Sequence, residues 1–224
     1  MLNINNLYKS YGKNVALSGI SFSVQEGMIC GIAGKNGSGK TTLFECVRNL
    51  QPYEGHIAIG AADRIGYLPE ALYFYPAMKG REYIEFCLSA RKDEIDRTKI
   101  NRYNQLFELP LNDYAVNYST GMKKKLALMA LLLQENTIYI LDEPFNGLDL
   151  SSCLILRQIL FKLKLRNRIV LLSSHILSSL TDICDIILYL NNHIIEKTYP
   201  RKEFAALERD MTDSITTQVD NVFI

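Results

Sequence analysis

Apolar residues along this chain gather into short continuous runs, with stretches of helical spacing between most of them. Leu2 to Leu7 opens the chain as a short β-rich segment. Val15 to Val24 is a second, with Leu17, Ile20, Phe22 and Val24 at its apolar positions. Met28 to Ala33 is apolar throughout and runs into glycines, which suits a buried strand. A helix is expected from Lys40 to about Leu50, then short strands at Ile57 to Ile59 and Ile65 to Leu68. From Lys79 the spacing turns helical, with Tyr83, Ile84, Phe86, Cys87 and Ala90 mostly on one face. A second helix is read from Arg102 to Glu108, ended by Pro110 and Asn112, and a third from near Gly121 to Gln134. The eight apolar residues Leu126 to Leu133 read as core packing. Next come a strand at Ile138 to Leu141, a helix at Leu150 to Leu165 and a β-branched strand at Ile169 to Leu172. A helix from Ile176 and strands at Ile186 to Leu190 and His193 to Lys197 complete the pattern. The polar end beyond Arg209 is expected to fray.

Strands alternating with helices argue for an α/β fold around a largely parallel sheet. The stretch from 72 to 134 reads as a helical subdomain inserted in it, within a single domain covering 1–224.

Composition narrows the classes without choosing one. The 224 residues are 48% hydrophobic and 22% charged, an ordinary globular balance. A formal charge of +1 gives no global attraction to nucleic acid or to an anionic membrane. The longest apolar run falls far short of the roughly 20 residues that span a bilayer. Met1 to Leu7 lacks the basic residue and long apolar core of a signal peptide. Cys30, Cys46, Cys87, Cys153 and Cys184 are scattered, with no CxxC pair, and read as reduced cytosolic thiols rather than a zinc or redox site.

The chemistry begins at Gly34-Lys35-Asn36-Gly37-Ser38-Gly39-Lys40-Thr41, which fits G-x-x-x-x-G-K-[ST] without a mismatch. Glycines let the backbone wrap a phosphate with its N–H groups turned inward, and the following helix adds its positive end. Lys40 can reach the terminal phosphates, while the Thr41 hydroxyl can coordinate a bridging Mg²⁺. The bland alternative is a glycine-rich turn with a surface Lys and Thr. A dinucleotide-binding turn fails on glycine spacing.

Ile138 to Leu141 ends in two acids, Asp142 and Glu143. Asp142 suits the Mg²⁺ shell. Glu143, pointing differently, can polarise an attacking water. Alone, such a pair is usually a solvated turn.

The neighbours change that weighting. Tyr118-Ser119-Thr120-Gly121-Met122 stands upstream, with Ser119 23 residues before Asp142; Gly147-Leu148-Asp149 and Ser174-His175 follow downstream. On these motifs nearly the whole chain resembles the nucleotide-binding domain of ATP-binding cassette (ABC) transporters, of an exporter-like branch. The resemblance implies a P-loop NTPase core with a small N-terminal β subdomain and an inserted helical subdomain. It implies ATP and Mg²⁺ as ligands. Gly34 to Thr42 form the Walker A loop and helix start, Asp142 ends Walker B, and Glu143 is the catalytic carboxylate. Asp149 marks a D-loop, His175 a switch, Tyr11 an adenine-stacking ring and Glu70 the Q-loop, where it would join Thr41 and Asp142 around the metal. Ser119 and Gly121 match the signature residues that reach the γ-phosphate on a partner cassette. Thr120 and Met122 replace the usual glycine and glutamine, and Glu70 stands where glutamine is usual.

The implied activity is ATP hydrolysis in a homodimer or heterodimer of cassettes that powers a separate membrane permease. The expected place is cytoplasmic, at the inner face of the cell membrane, attached only through the permease and without nucleic acid. The exporter leaning rests on Gly66-Tyr67-Leu68-Pro69-Glu70 and a short C-terminus. A DNA- or ribosome-remodelling ATPase is disfavoured by the lack of sustained heptads and of a second Walker loop. A non-hydrolysing regulatory module leaves Glu143 and His175 unexplained, and a small-molecule kinase leaves Ser119 and His175 unexplained. Lys123-Lys124-Lys125 reads as a solvated helix face or a dimer-side contact. Tyr73-Phe74-Tyr75-Pro76 reads either as core or as the groove that grips a helix of the permease.

Overall fold

The computed structural model describes residues 1–210, so the end expected to fray lies outside the described residues except for Asp210. Its centre is a six-stranded sheet in the order β5-β6-β7-β3-β8-β9. These strands are β3 (Ile29–Ala33), β5 (Ile65–Leu68), β6 (Ile138–Leu141), β7 (Ile169–Ser174), β8 (Ile186–Asn191) and β9 (Ile194–Pro200). All pairs are parallel except the β8–β9 hairpin. The uninterrupted apolar runs of β3, β6 and β7 follow from this: every residue of the three strands is buried, because both faces of a parallel sheet are covered.

Alternate residues serve the two faces. Cys30, Ile32, Ile138, Ile140, Ile169 and Leu171 face a cluster with Leu43, Phe44 and Val47 of α1 (Lys40–Val47). A smaller antiparallel sheet closes that cluster: β1 (Leu2–Tyr11) lies between β2 (Asn14–Val24) and β4 (Glu54–Ala58). Ala33, Tyr139, Leu141, Val170 and Leu172 face the opposite cluster, with α4 (Thr120–Leu133) and α5 (Leu150–Leu165). The run Leu126 to Leu133 is buried along its length.

Between β5 and β6 the chain is helical, through α2 (Gly80–Ser89), α3 (Arg97–Phe107), a 3₁₀ turn at Ala115–Asn117 and α4; the isolated bridge Lys79 to Tyr114 is its one β pairing among the described residues. α3 begins five residues before the expected Arg102, because Asp96 caps it by accepting from the N–H groups of Thr98 and Lys99. β1 runs past the expected Leu7 to Tyr11, since pairing to β2 continues through Lys9, Ser10 and Tyr11 after register shifts near the polar Asn5–Asn6. α6 (Leu177–Thr181) joins β7 to β8, and residues 204–210 are helical after a 3₁₀ turn at Arg201–Glu203.

The register positions the site. Ala33 pairs with Ser174, and Leu141 with Leu172. The carboxyl ends of β3, β6 and β7 therefore share one edge of the sheet, and Gly34, Asp142 and His175 each leave from it. Ligands of open parallel sheets bind at such an edge.

Candidate active site

The loop from Gly34 to Gly39 leaves β3 and turns directly into α1. Gly37 and Gly39 have φ of 82° and 111°, in the left-handed region that suits glycine. A Cβ on Gly39 would stand 2.5 Å from the Ala16 carbonyl oxygen, and one on Gly34 would collide with the Leu190 carbonyl. The cradle is therefore packed by backbone from β2 and β8. Lys40 is buried at the first turn of α1 and folds back, donating to the carbonyls of Gly34 (2.7 Å) and Lys35 (3.2 Å). Ser38 Oγ is buried with no hydrogen-bond partner.

Opposite the loop, Asp142 is buried and heavily coordinated. Its Oδ2 accepts from Thr41 Oγ1 at 2.8 Å and from the Tyr67 hydroxyl at 3.5 Å, while Oδ1 accepts from Ser173 Oγ at 2.5 Å. Ser173 Oγ in turn accepts from the Glu143 N–H at 3.0 Å, so one hydroxyl fixes both acids. Burial first, then the Asp142 charge, push the Tyr67 phenol well above its ordinary range, keeping it a proton donor toward that carboxylate. Glu143 takes φ of 47°, a left-handed backbone for a non-glycine residue. Its side chain is 4% exposed, and Oε1 lies 3.0 Å from His175 Nδ1. That contact is not aligned as a hydrogen bond, so both carboxylate oxygens are buried without a donor. Two such oxygens are costly unless a ligand or water meets them.

A cleft of about 390 Å³ joins these parts. It is lined by Asn36, Gly37, Gly39, Lys40, Thr41 and Thr42 of the loop and helix start, by the acids Glu70, Asp142 and Glu143, and by Tyr11 and Ala16. Tyr11 is 44% exposed; the Lys9 ammonium stands 4.6 Å from its ring centre, and its hydroxyl donates to Glu45 at 3.2 Å. Burial and the neighbouring Glu45 raise its pKa, so the ring stays neutral. Gly34, Lys35, Asn36, Ser174 and His175 line a second hollow beside the same loop.

Ser119 and Gly121 do not line the cleft. Ser119 caps α4, accepting from the Met122 N–H at 3.2 Å, and is exposed. A Cβ on Gly121 would lie 3.0 Å from the Gly147 carbonyl oxygen, and one on Gly147 3.0 Å from Thr120 Cγ2. The signature turn and the turn after Glu143 are thus in van der Waals contact.

One expectation fails. Lys123 to Lys125 do not form one solvated face: Lys123 and Lys125 are partly exposed, but Lys124 is 3% exposed. Its ammonium donates to the carbonyls of Glu143 (2.7 Å) and Asn146 (2.8 Å). Burial lowers its pKa, opposed by the charges of Glu70, Glu143 and Asp142. Tyr73 to Tyr75 divide: Phe74 is core, while Tyr73 (72% exposed) and Tyr75 (53%) stand out edge to face. Sequence reasoning also passed over Ser173 and Tyr67, which orient the acids; an apolar strand ending in Ser173-Ser174 beside the acidic strand end was the available signal.

The donor set suits a phosphate-bound Mg²⁺ more than an all-protein metal cage. Among the described residues no three His, Cys, Asp or Glu side chains cluster as metal ligands, and Mg²⁺ typically takes one or two protein ligands with substrate phosphates and waters.

Fold and cleft together define a nucleotide-binding ATPase cassette of the P-loop class. The chain belongs to the ABC transporter family, whose family model matches residues 17–146. An uncharacterized ABC transporter ATP-binding protein of Methanocaldococcus jannaschii, MJ1023, is 33% identical over 84% of this chain and 73% of its own length. The SkfA peptide export ATP-binding protein SkfE of Bacillus subtilis is 32% identical over 68% of this chain and 69% of its own. The solved dimer of the ATP-binding cassette MJ0796, bound to ADP and Pi, superposes with a TM-score of 0.81 over 90% of this chain and 99% of that one. At 21% identity this is a likeness of fold.

Proposed function

We propose that this chain is the ATP-hydrolysing subunit of an ABC exporter, working as a pair of cassettes beneath a separate membrane permease. The observation that carries the hydrolytic reading is Glu143: a buried carboxylate with no hydrogen-bond donor, lining the phosphate-loop cleft.

In this reading the loop N–H groups from Asn36 to Thr42, the positive end of α1 and the Lys40 ammonium hold the phosphates. Gly34, Gly37 and Gly39 let the backbone close on them, Lys35 and Ser38 shape the loop, and Tyr11 stacks on the base. Thr41 and Asp142, with Glu70 behind them, would hold Mg²⁺, which when bound neutralises charge building on the terminal phosphates. Glu143 orients a water for in-line attack and takes its proton, and His175 braces that carboxylate from 3.0 Å.

Ser119 and Gly121 point to a second copy. They lie outside their own chain's cleft, yet an exposed helix N-terminus beside a small residue is built to meet an anion. A partner's γ-phosphate fits that description. Exposed Tyr73, Tyr75 and Phe86, linked by edge-to-face contacts, fit the groove for a permease helix, within the helical subdomain 72–134. No helix among the described residues is long and apolar enough to cross a membrane, which accords with attachment at the cytoplasmic face through the permease. The export direction draws on the likeness to a peptide export protein.

Glu143→Gln tests the reading. It keeps the phosphate grip but removes the proton acceptor, so the variant is expected to bind ATP and accumulate as a closed dimer in size-exclusion chromatography with MgATP. A variant that stays monomeric, or that hydrolyses at the wild-type rate, overturns it.

A further inference from the structure

His193 occupies the β8–β9 turn with φ of 69°, beside Asn192 at 46°, in the left-handed region that Asn and His enter more readily than most side chains. Here the contacts are explicit. The His193 carbonyl accepts from the Ser18 N–H at 2.8 Å, and Nδ1 lies 3.2 Å from the Ala16 carbonyl oxygen. A carbonyl can only accept, so Nδ1 carries a proton, and in the tautomer this contact selects Nε2 presents a lone pair. Among the described residues Nε2 has no hydrogen-bond partner, and the residue lines the 390 Å³ cleft together with Tyr11, Val15 and Ala16.

The position within the cleft identifies the ligand group. Ala16 touches both the imidazole and the end of the phosphate loop, since its carbonyl oxygen lies 2.5 Å from a Cβ built on Gly39. The ring therefore stands where the phosphate grip ends and the Tyr11 side begins. In a nucleoside triphosphate the sugar occupies that junction, and its hydroxyls are donors that a bare Nε2 can accept. We propose that His193 is a nucleotide-binding residue whose Nε2 accepts a hydrogen bond from a ribose hydroxyl, so that the cleft recognises the sugar as well as the phosphates. The inference rests on the nucleotide reading of the cleft and adds a sugar-specific contact to it.

His193→Gly removes the ring while glycine accepts the left-handed backbone and the Ser18 N–H bond to the main-chain carbonyl is kept. Loss of one such hydrogen bond is expected to weaken ATP binding about threefold to tenfold by calorimetry. Binding of 2′,3′-dideoxy-ATP, which lacks the hydroxyls, should match the wild-type value, as should binding of inorganic tripolyphosphate. Unchanged ATP affinity overturns the proposal. So does an equal loss for ATP and the dideoxy analogue, or a loss for tripolyphosphate. A wild-type chain that binds none of the three overturns the nucleotide reading itself.

Discussion

The Lys124 ammonium and the Glu143 main chain are joined across two elements that sequence alone keeps apart. The lysine leaves the second turn of α4, and at 2.7 Å its Nζ donates to the carbonyl of the residue that bears the buried carboxylate. A second bond to Asn146, at 2.8 Å, closes the turn behind it. A buried cation spent on two carbonyls holds the left-handed Glu143 backbone in place, and the carboxylate direction follows from that backbone.

Lys124→Met keeps the length and apolar stem of the side chain but removes both bonds. The carbonyls of Glu143 and Asn146 lose a charged donor, and the carboxylate loses its fixed direction. The expected result is a fall in kcat of about tenfold or more, equivalent to roughly 1.4 kcal/mol of barrier, with ATP affinity within about twofold of wild type because no phosphate contact changes. Steady-state hydrolysis and calorimetry separate the two quantities. An unchanged kcat would show that the lysine only fills space.

If each hydrolytic site is completed by the other copy, two dead variants complement one another. Lys40→Ala removes a charge-assisted phosphate contact worth roughly 1.5–3 kcal/mol and leaves Ser119 intact. Ser119→Arg keeps the phosphate loop and puts a bulky cation at the cap of α4. Mixing them should restore one competent site per heterodimer and a fraction of wild-type activity. Specific activity of the wild type should also rise with protein concentration. No recovery on mixing, with activity strictly proportional to concentration, would mean that each chain works alone.

Asp149 gives a pH-dependent test of the turn that follows the site. It caps α5, accepting from the Ser152 N–H at 2.7 Å, and that bond lowers its pKa. A folded-state pKa below the unfolded value of about 3.9 contributes stability that is complete above the unfolded value. That contribution is lost as pH falls through the folded one. Asn caps almost as well and does not titrate. The melting temperature of wild type should therefore exceed that of Asp149→Asn by a constant margin at neutral pH, and the margin should shrink below about pH 4. A margin that grows on acidification would contradict the assignment.

Much of this arrangement is legible in the chain because it is local. The buried strands announce themselves as uninterrupted apolar runs, and Gly34 to Thr41 carry their geometry in their residue types. The helix from 120 to 133 is legible from Leu126 to Leu133 for the same reason. Lys124 is not. Its two neighbours are partly exposed, it looks the same as they do in sequence, and what buries it is a turn 19 residues away. His193 is hidden similarly: the pattern reads it as the first residue of a short strand, His193 to Lys197, and only the packing of β8–β9 against β2 brings the ring to Ala16. The early start of α3 was available, since Asp96 is a helix-start residue in plain view.

The contact between Gly121 and Gly147 fixes how the two ends of this machine can vary. Each glycine leaves about 3 Å to the other turn at the point where a methyl group would go, and the Thr120 methyl already fills one side of the joint. In the proposed pair Thr120 would therefore have two addresses. Through Ser119 it would border the nucleotide held by the other copy, while through Gly147 it borders the turn that follows its own Glu143. If the proposed sandwich holds, a substitution at Thr120 would change both of its sites at once, so that the affinity of the pair and the rate of hydrolysis would vary together.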